Sequence, residues 1–326
     1  MAIGLIDVDS KIPNLALMKL SSYYKSLGEE VEFVQPNEHY EKIFASAIFT
    51  RSKDICSKLQ EQYEDRIEIG GTGWDIKKVL DPVIENQRPD YELYNAEMIY
   101  KRIRGIGTKE SKMKKAETIV NAGIGFTSRG CIRNCSFCFV PKKEGCFKQV
   151  AEIKDLINTK SNVLILNDNN LTADPNCIDK LHEIRDRKLV VDINQGCDVR
   201  LVNEDIAKAL SEVKHLRSVH YAWDLMGYES QVLDGIKVLL KHMKAWRHMC
   251  FMLVGFNTSF EEDMYRYRKL EEMGIRPYVM VYNDKVDIKL KHFERWVNSR
   301  ICKACEWEDY EPWVRDQVIV NQISMF

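Results

Sequence analysis

The 326-residue sequence has no apolar run that approaches the roughly 18 residues of a membrane-spanning helix. Its first residues, MAIGLIDVDS, do not have the basic stretch, apolar core and cleavage site of a secretory signal. It also has no excess of one charge, because 48 basic residues face 49 acidic ones. These absences predict a soluble cytoplasmic protein that no global field draws to nucleic acid or anionic lipid.

Histidine is also scarce, since the seven histidines form no His-x-His pair, and this argues against a histidine-built metal centre. Cysteine, in contrast, occurs ten times. In a chain without an export signal, that number indicates a reducing compartment and a metal site rather than a disulfide framework. Hydrophobic residues make up 45% of the chain, which is enough for the cores of one or two domains.

The strongest motif is the stretch FTSRGCIRNCSFCFVP at residues 126–141, which holds Cys131, Cys135 and Cys138. Three thiolates so close together can bind three corners of a cubane iron–sulfur cluster, and the fourth iron then stays open for a small chelating ligand. Zinc explains the triplet less well, because tetrahedral zinc needs a fourth ligand and its usual pattern is two separated cysteine pairs.

This Cys-x-x-x-Cys-x-x-Cys triplet resembles the signature of the radical S-adenosylmethionine (SAM) superfamily, and a strand-like stretch at residues 122–127 leads into it as that family requires. The resemblance implies a [4Fe–4S] cluster on Cys131, Cys135 and Cys138, with SAM chelated to the open iron. It implies that Phe137 packs near the SAM adenine. It also implies an external one-electron reductant of the flavodoxin or ferredoxin type, and an enzyme that cleaves SAM to methionine and a 5′-deoxyadenosyl radical.

The first hundred residues alternate strands and helices. The pattern predicts strands at residues 2–7, 31–34, 42–49 and 66–70, with helices at 14–27 and 52–63. This part resembles the cobalamin-binding domain that precedes the barrel in many radical SAM enzymes. Its first turn, Asp7-Val8-Asp9-Ser10-Lys11-Ile12, lacks both the cobalt-binding histidine and the glycine of Asp-x-His-x-x-Gly. An aspartate cannot replace imidazole as a nitrogen donor, so we favour a retained scaffold without cobalamin, and cobalamin bound without a lower protein ligand is the alternative.

After residue 119 the chain repeats strand and helix. The predicted strands are residues 122–127, 162–166, 189–193, 218–223, 250–256 and 277–282, and the predicted helices are 150–158, 175–187, 203–213, 229–242 and 260–274. Six strands resemble the partial barrel of radical SAM enzymes. The predicted fold class is therefore α/β, with a flavodoxin-like (cobalamin-domain-like) parallel sheet followed by a partial (β/α)6 TIM-type barrel. Right-handed crossovers would gather the strand ends on one rim.

The resemblance implies SAM contacts for polar residues at those strand ends. Family members often place a Gly-Gly-Glu element after the second strand, but here the sequence is Asn167-Asp168-Asn169-Asn170. Asp168 or Asn169 would then accept from the SAM ammonium, and Arg200 would bind the SAM carboxylate bidentately. The remaining predicted contacts are Gln195 and Asp198 for the ribose or substrate, Asp224 for the ribose, Gly255 for the adenine, and Tyr282 for the wall of the same pocket.

The predicted domains are a cobalamin-binding-like domain (1–100), a basic linker (101–118), the barrel (119–285) and a C-terminal helical extension (286–326). The basic run KRIRGIGTKESKMKK at residues 101–115 is either a solvated linker or a contact for phosphates of a nucleic acid or nucleotide. Cys302 and Cys305 could hold a second metal, although no nearby pair completes four ligands.

The predicted function is a radical SAM enzyme that modifies a nucleotide, a nucleic acid or a small molecule. The alternatives are a cobalamin-dependent radical SAM methyltransferase and a non-enzymatic iron–sulfur or zinc protein that binds nucleic acid. The sequence identifies neither the substrate nor a catalytic residue beyond the cofactor site.

Overall fold

The computed structural model describes residues 2–105, 107–282 and 287–311. Backbone contacts divide the chain into two compact units. Unit 1 comprises Met1–Asn170 and Asp179–Asn194, and unit 2 comprises Leu171–Ile178 and Gln195–Phe326. Both units are α/β with parallel sheets. Within the described residues, no helix has the length and apolar character needed to span a membrane.

Unit 1 begins with a four-stranded parallel sheet. Its strands are β1 (Ala2–Asp7), β2 (Glu30–Phe33), β3 (Lys42–Ser46) and β4 (Ile67–Gly70), in the order β2-β1-β3-β4. The helices between them are α1 (Leu15–Ser26) and α2 (Lys53–Tyr63). Ile3, Leu5 and Leu17 are almost completely buried, because Ile3 and Leu5 lie on the same face of β1 and α1 packs against that face. Each strand and helix predicted here is present, with ends that differ by a few residues.

The rest of unit 1 carries a second parallel sheet. Its strands are β5 (Gly123–Gly125), β8 (Val163–Leu166) and β9 (Val190–Ile193), with β8 in the middle. An antiparallel ribbon of β6 (Ser128–Arg129) and β7 (Lys148–Gln149) follows β5. The helices are α3 (Pro82–Glu85), α4 (Ala96–Tyr100), α5 (Lys109–Val120), α6 (Val140–Lys143) and α7 (Cys177–Asp186).

Two parts of unit 1 differ from the sequence prediction. The predicted helix at residues 150–158 is absent, because the amides of Val150 and Ala151 donate to the carbonyl of Thr127 and hold that segment beside β6. Only a short 3-10 turn, Ile153–Leu156, forms there. In the predicted basic linker, residues 109–120 form α5. Thr108 caps this helix, and its buried positions Ala116, Ile119 and Val120 follow helical spacing.

Unit 2 contains the short strand β10 (Lys214–His215) and a parallel sheet of β11 (Val219–Ala222), β12 (His248–Val254) and β13 (Arg276–Val281), with β12 in the middle. Its helices are α8 (Glu204–Glu212), α9 (Glu229–His242), α10 (Phe260–Glu272) and α11 (Ile288–Asn298). Asn203 caps α8, and Ser259 forms a capping box with Glu262 at α10. Both helix starts were predicted from these residues.

The six strands predicted after residue 119 are all present, three in each unit. The closure of these strands into one partial barrel stays a prediction, as does the division at residues 100, 118 and 285. In the predicted C-terminal extension, the described part forms α11 and a 3-10 turn, Ile301–Lys303. Residues 312–326 of that extension lie outside the described residues.

Candidate functional site

The three motif cysteines lie on a loop that the β6–β7 ribbon closes at its base. We call residues 130–147 the cysteine loop. Gly130 has a φ of +79°, and a Cβ there would lie 2.2 Å from the carbonyl oxygen of Cys146. The Cys131 amide donates across the same base to the carbonyl of Gly145, at 3.4 Å. The two ends of the loop therefore meet closely only because residue 130 is glycine.

The three cysteines are not joined in disulfides, and each is partly exposed. The Arg133 amide donates to the Sγ of Cys131, and the Val140 amide donates to the Sγ of Cys138, each at 3.4 Å. The Cys138 amide donates to the carbonyl of Cys135 at 3.0 Å. These hydrogen bonds hold the sulfurs of Cys131 and Cys138 in fixed positions on the loop.

The chemistry of this donor set fits an iron–sulfur cluster. Within the described residues, no group of three or more His, Cys, Asp or Glu side chains is arranged to hold one metal ion. A single tetrahedral zinc would require its sulfur ligands about 4 Å apart, because the zinc–sulfur distance is about 2.3 Å. A cubane cluster binds each thiolate through a different iron, so its ligands lie farther apart. The three partly exposed cysteines of this loop are ligands of the type that such a cluster takes.

The turn after β8, at residues 167–170, faces the cysteine loop. Asp168 is completely buried, and its carboxylate accepts from the Thr127 hydroxyl at 2.7 Å and from the Ser128 amide at 2.5 Å. Asn169 Oδ1 accepts from the Gly130 amide at 2.9 Å. The predicted SAM contacts of Asp168 and Asn169 are not tested by this geometry. It shows that both residues hold the backbone that leads into the loop.

A buried lysine lies under the same ribbon. Lys180 on α7 donates to the hydroxyl of Thr127 at 2.8 Å and to the side chain of Gln149 at 3.0 Å. Burial raises the pKa of Asp168, although the hydrogen bonds from Ser128 and Thr127 and the charge of Lys180 act in the opposite direction. The sequence pattern did not single out Lys180, because a lone lysine on an amphipathic helix is usually solvated.

A series of ion pairs also connects the cysteine loop to α3 and α1 of unit 1. The guanidinium of Arg129 contacts Glu144 at 3.1 Å and Glu85 at 2.8 Å, and Lys19 on α1 contacts Glu85 at 2.8 Å. Burial by itself would raise the pKa of Glu85, but the charges and hydrogen bonds of Arg129 and Lys19 outweigh it and lower that pKa. Glu85 is therefore ionised where it joins α1, α3 and the ribbon.

In unit 2, two of the predicted SAM contacts bind each other. The guanidinium of Arg200 donates to both carboxylate oxygens of Asp198, at 2.7 and 2.9 Å, and lies 4.5 Å from the centre of the Tyr228 ring. Much of the bidentate geometry predicted for a SAM carboxylate is thus satisfied by Asp198. Gln195, two residues before the buried Cys197, is exposed.

Asp224 lies where β11 ends. Its carboxylate accepts from the Leu253 amide at 3.2 Å. Burial raises the pKa of Asp224, while the Leu253 hydrogen bond and the charges of Arg266 and Arg200 oppose the increase. The contact between Asp224 and the ribose hydroxyls stays a prediction.

Gly255 and Tyr282 follow the ends of β12 and β13. Gly255 has a φ of +77°, and a Cβ there would lie 2.7 Å from a methyl group of Leu290 on α11. Tyr282 packs edge-on against Phe256, with ring centres 4.7 Å apart. The packing of α11 therefore explains the glycine without a ligand, and the contact between Gly255 and adenine stays a prediction.

In unit 1, Phe137 is partly exposed, as a ring that receives a ligand must be.

Arg266 on α10 lies near Asp224, and the sequence pattern did not identify it. It is completely buried and donates to the carbonyls of Trp223 and Leu253 and to the carboxylate of Asp263. These carbonyls stand at the carboxyl ends of β11 and β12. Arg266 consequently fixes the strand ends beside Asp224. The spacing Asp263-x-x-Arg266 on one helix face was the available signal.

The first turn of unit 1 is filled by internal contacts. Asp7 accepts from the hydroxyl of Tyr94 at 2.7 Å and from Arg102 at 2.6 Å. Asp9 accepts from the amides of Ile48 and Phe49, at 2.7 and 3.0 Å, and from a serine hydroxyl. Both aspartates thus act as turn and cap residues, and neither supplies the imidazole that cobalt binding prefers.

The pair near the C-terminus engages backbone carbonyls. The Cys302 thiol donates to the carbonyl of Val297 at 3.9 Å, and the Cys305 thiol donates to the carbonyl of Glu306 at 3.3 Å. No third ligand joins them among the residues that the structure describes. A second metal at Cys302 and Cys305 stays a prediction.

Comparisons with known proteins give no family. No protein-family model matches the sequence, and no curated protein matches it. Among solved structures, one match is the crystal structure of Streptococcus suis SuiB bound to precursor peptide SuiA, with 12% sequence identity and a TM-score of 0.39. The match covers 77% of this chain, and the chain spans 58% of the SuiB chain. A TM-score this low carries no conclusion about function.

Proposed function

We propose that this chain is a radical SAM enzyme in which Cys131, Cys135 and Cys138 hold a [4Fe–4S] cluster. The observation that carries the proposal is the Cys-x-x-x-Cys-x-x-Cys spacing on a partly exposed loop that follows the parallel strand β5 and the short strand β6. The closed base of the loop and the amide donors to two of the sulfurs support it, because they hold the cysteine side chains in fixed positions.

The residues of this chain would bind and orient the cofactor. The three thiolates would leave one iron open, and the predicted SAM contacts are Phe137, Asp168, Asn169, Gln195, Asp198, Arg200, Asp224, Gly255 and Tyr282. When bound, the cluster and SAM supply reductive cleavage of the sulfonium and a radical that abstracts hydrogen from a substrate. The electron would come from an external flavodoxin- or ferredoxin-type protein.

The structure favours this proposal over its two alternatives. Cobalamin-dependent methyl transfer is disfavoured, because the carboxylate of Asp9 is bound to Ile48, Phe49 and Ser52 where the family's histidine would stand. A non-enzymatic nucleic-acid-binding protein would depend on the basic run at residues 101–115. Within that run, Arg102 is paired with Asp7, and residues 109–115 form the first turns of α5. The substrate of the proposed enzyme stays open between a nucleotide, a nucleic acid and a small molecule.

The test is anaerobic reconstitution of the purified protein with iron and sulfide, followed by SAM and a strong reductant. We expect about four irons per chain and formation of 5′-deoxyadenosine, both lost in Cys135→Ala. The matched control is Cys146→Ala, because Cys146 is an exposed thiol of the same loop that lies outside the triplet. Zinc in place of iron in the wild-type protein, or equal cluster loss in Cys135→Ala and Cys146→Ala, would contradict the proposal.

A further inference from the structure

We infer that Asn170 is a positioning residue that fixes the Cys131 thiolate and raises the reduction potential of the cluster, an inference that rests on the proposed function. The side-chain amide of Asn170 donates to the Sγ of Cys131, with Nδ2 and Sγ 3.5 Å apart. The two residues are 39 positions apart in the sequence. This contact therefore links the first cysteine of the loop to the turn after β8.

The position of Asn170 is set by its neighbours in that turn. The backbone amide of Asn167 donates to the carbonyl of Gly125 at 2.8 Å. Asp168 and Asn169 bind the chain between β5 and the loop. Asn170 itself is buried, with 5% of its surface exposed. The three residues before Asn170 are each held by hydrogen bonds, and the Asn170 side chain is buried. The side-chain amide of Asn170 is therefore held in one direction.

The Asn170 contact differs in kind from the backbone donors of the loop. The amides of Arg133 and Val140 lie two residues from the sulfurs that they contact, so they move with the loop. Asn170 belongs to another part of the fold, and its hydrogen bond holds Cys131 against the sheet. Because it is a side chain, it can also be removed without changing the backbone.

The expected effect on the cluster follows from charge. One-electron reduction adds negative charge to the cluster and its sulfur ligands, and a hydrogen-bond donor stabilises the more negative state. The Asn170 amide should therefore favour the reduced cluster. The hydrogen bond is present in both redox states, so only the difference in its strength between them changes the reduction equilibrium. A change of about tenfold in the equilibrium constant for reduction is the expected size, which is about 59 mV for a one-electron couple.

The test compares reconstituted Asn170→Ala, Asn170→Asp and Asn167→Ala with the wild-type protein. Iron content and a redox titration followed by electron paramagnetic resonance are the readouts, and circular dichroism checks folding. Asn170→Ala should lower the reduction equilibrium constant about tenfold, or about 59 mV. Asn170→Asp should lower it further, because a carboxylate repels the thiolate. Asn167→Ala is the matched control, since it removes an asparagine from the same turn that contacts Asn194 instead of sulfur.

Each outcome separates this inference from the proposed function. If the wild-type protein forms no cluster, the proposed function fails, and the inference fails with it. If the cluster forms and all four proteins have the same potential and iron content, the inference is overturned and the proposed function stands. Loss of the cluster in Asn170→Ala with retention in Asn167→Ala supports the positioning role. Equal loss in both would overturn it, because the turn as a whole would then be responsible.

Discussion

Asp168 joins three segments of unit 1 through one carboxylate. It accepts from Thr127 and Ser128, and Thr127 in turn accepts from Lys180 on α7. All of these groups are buried. When one partner of a buried hydrogen bond is removed, the other polar group stays buried without a partner. The resulting loss of stability is therefore larger than the free energy gained when the hydrogen bond forms.

We therefore predict that Asp168→Ala destabilises the protein by about 2–4 kcal/mol, since it leaves two buried donors without their acceptor and removes a negative charge near the buried Lys180. Urea unfolding of the protein without cofactor measures this. Asp186→Ala is the control, because Asp186 is exposed at the end of α7 and pairs with Arg185 on the surface. That variant should change the free energy of unfolding by less than about 0.5 kcal/mol. Equal effects would show that the Asp168 contacts do not carry the stability.

At the scale of elements, two glycines of the cysteine loop allow a comparison. Gly130 and Gly145 both have a positive φ, at +79° and +73°. A Cβ at Gly130 would overlap the carbonyl of Cys146, whereas a Cβ at Gly145 meets nothing within 4 Å. An alanine at either position would strain the backbone, but only an alanine at position 130 would also overlap another atom.

The predicted result is that Gly145→Ala costs about 1 kcal/mol from backbone strain, and that Gly130→Ala costs more because the β6–β7 ribbon must open. Gly130→Ala should also reduce the iron bound on reconstitution, while Gly145→Ala should not. Iron analysis and thermal unfolding of the two variants, side by side, decide the matter. Similar iron content in both would mean that closure of the loop base is not needed for the cluster.

A second element-scale case concerns α9 and the turn that carries Arg200. A Cβ on Gly235 in α9 would lie 2.0 Å from the carbonyl oxygen of Val199, the residue before Arg200. Glycine to alanine inside a helix usually stabilises it by about 1 kcal/mol. Here the overlap reverses the sign, because helix and turn are in backbone contact.

Gly235→Ala should accordingly destabilise unit 2 by about 1–3 kcal/mol and displace the Asp198–Arg200 pair. Gly227→Ala provides the control, since a Cβ there meets nothing within 4 Å. Chemical denaturation gives the stability, and SAM binding measured by calorimetry reports on the pair. A stabilised Gly235→Ala protein would show that helix propensity outweighs the close contact.

At the scale of the whole molecule, the two units carry different responses to acid. Burial lowers the pKa of His248 on β12, so the folded unit 2 binds this proton less readily than the unfolded chain. Its contribution is therefore present above the ordinary histidine pKa of about 6.5 and is lost as the pH falls below it. In unit 1, the lowered pKa of Glu85 keeps its contacts with Arg129 and Lys19 intact until the pH falls below about 4.5.

We predict that acidification from about pH 7 to about pH 5 weakens unit 2 before unit 1, because the shifted pKa of His248 affects stability in that range and the lowered pKa of Glu85 acts only below it. Hydrogen exchange by mass spectrometry, corrected for intrinsic rates, would show protection lost in β12 and retained in β1. His248→Gln should flatten this dependence, and His39→Gln should not, because His39 is exposed. Parallel loss of protection in β1 and β12 would contradict the prediction.

Much of this architecture could be predicted from local pattern. Alternating and helical apolar spacing located the strands of both units to within a few residues, because burial of one face is a property of the segment itself. The spacing of Cys131, Cys135 and Cys138 indicated the cysteine loop, because this spacing is also a property of one segment. The predicted helix at 150–158 was wrong, because the contact of Val150 and Ala151 with Thr127 lies more than twenty residues away in sequence and outweighs local propensity.

The sequence by itself therefore determined the order of strands and helices, the cysteine triplet and the candidate strand-end residues. Only the tertiary structure decided what those residues contact: Asp168 and Asn169 hold the base of the loop, Asn170 reaches Cys131, and Arg200 pairs with Asp198. The physical reason is the distance along the sequence over which each effect acts. Periodicity and spacing act within one segment, whereas the partner of a buried polar group is chosen by the requirement that each donor find an acceptor in the assembled core.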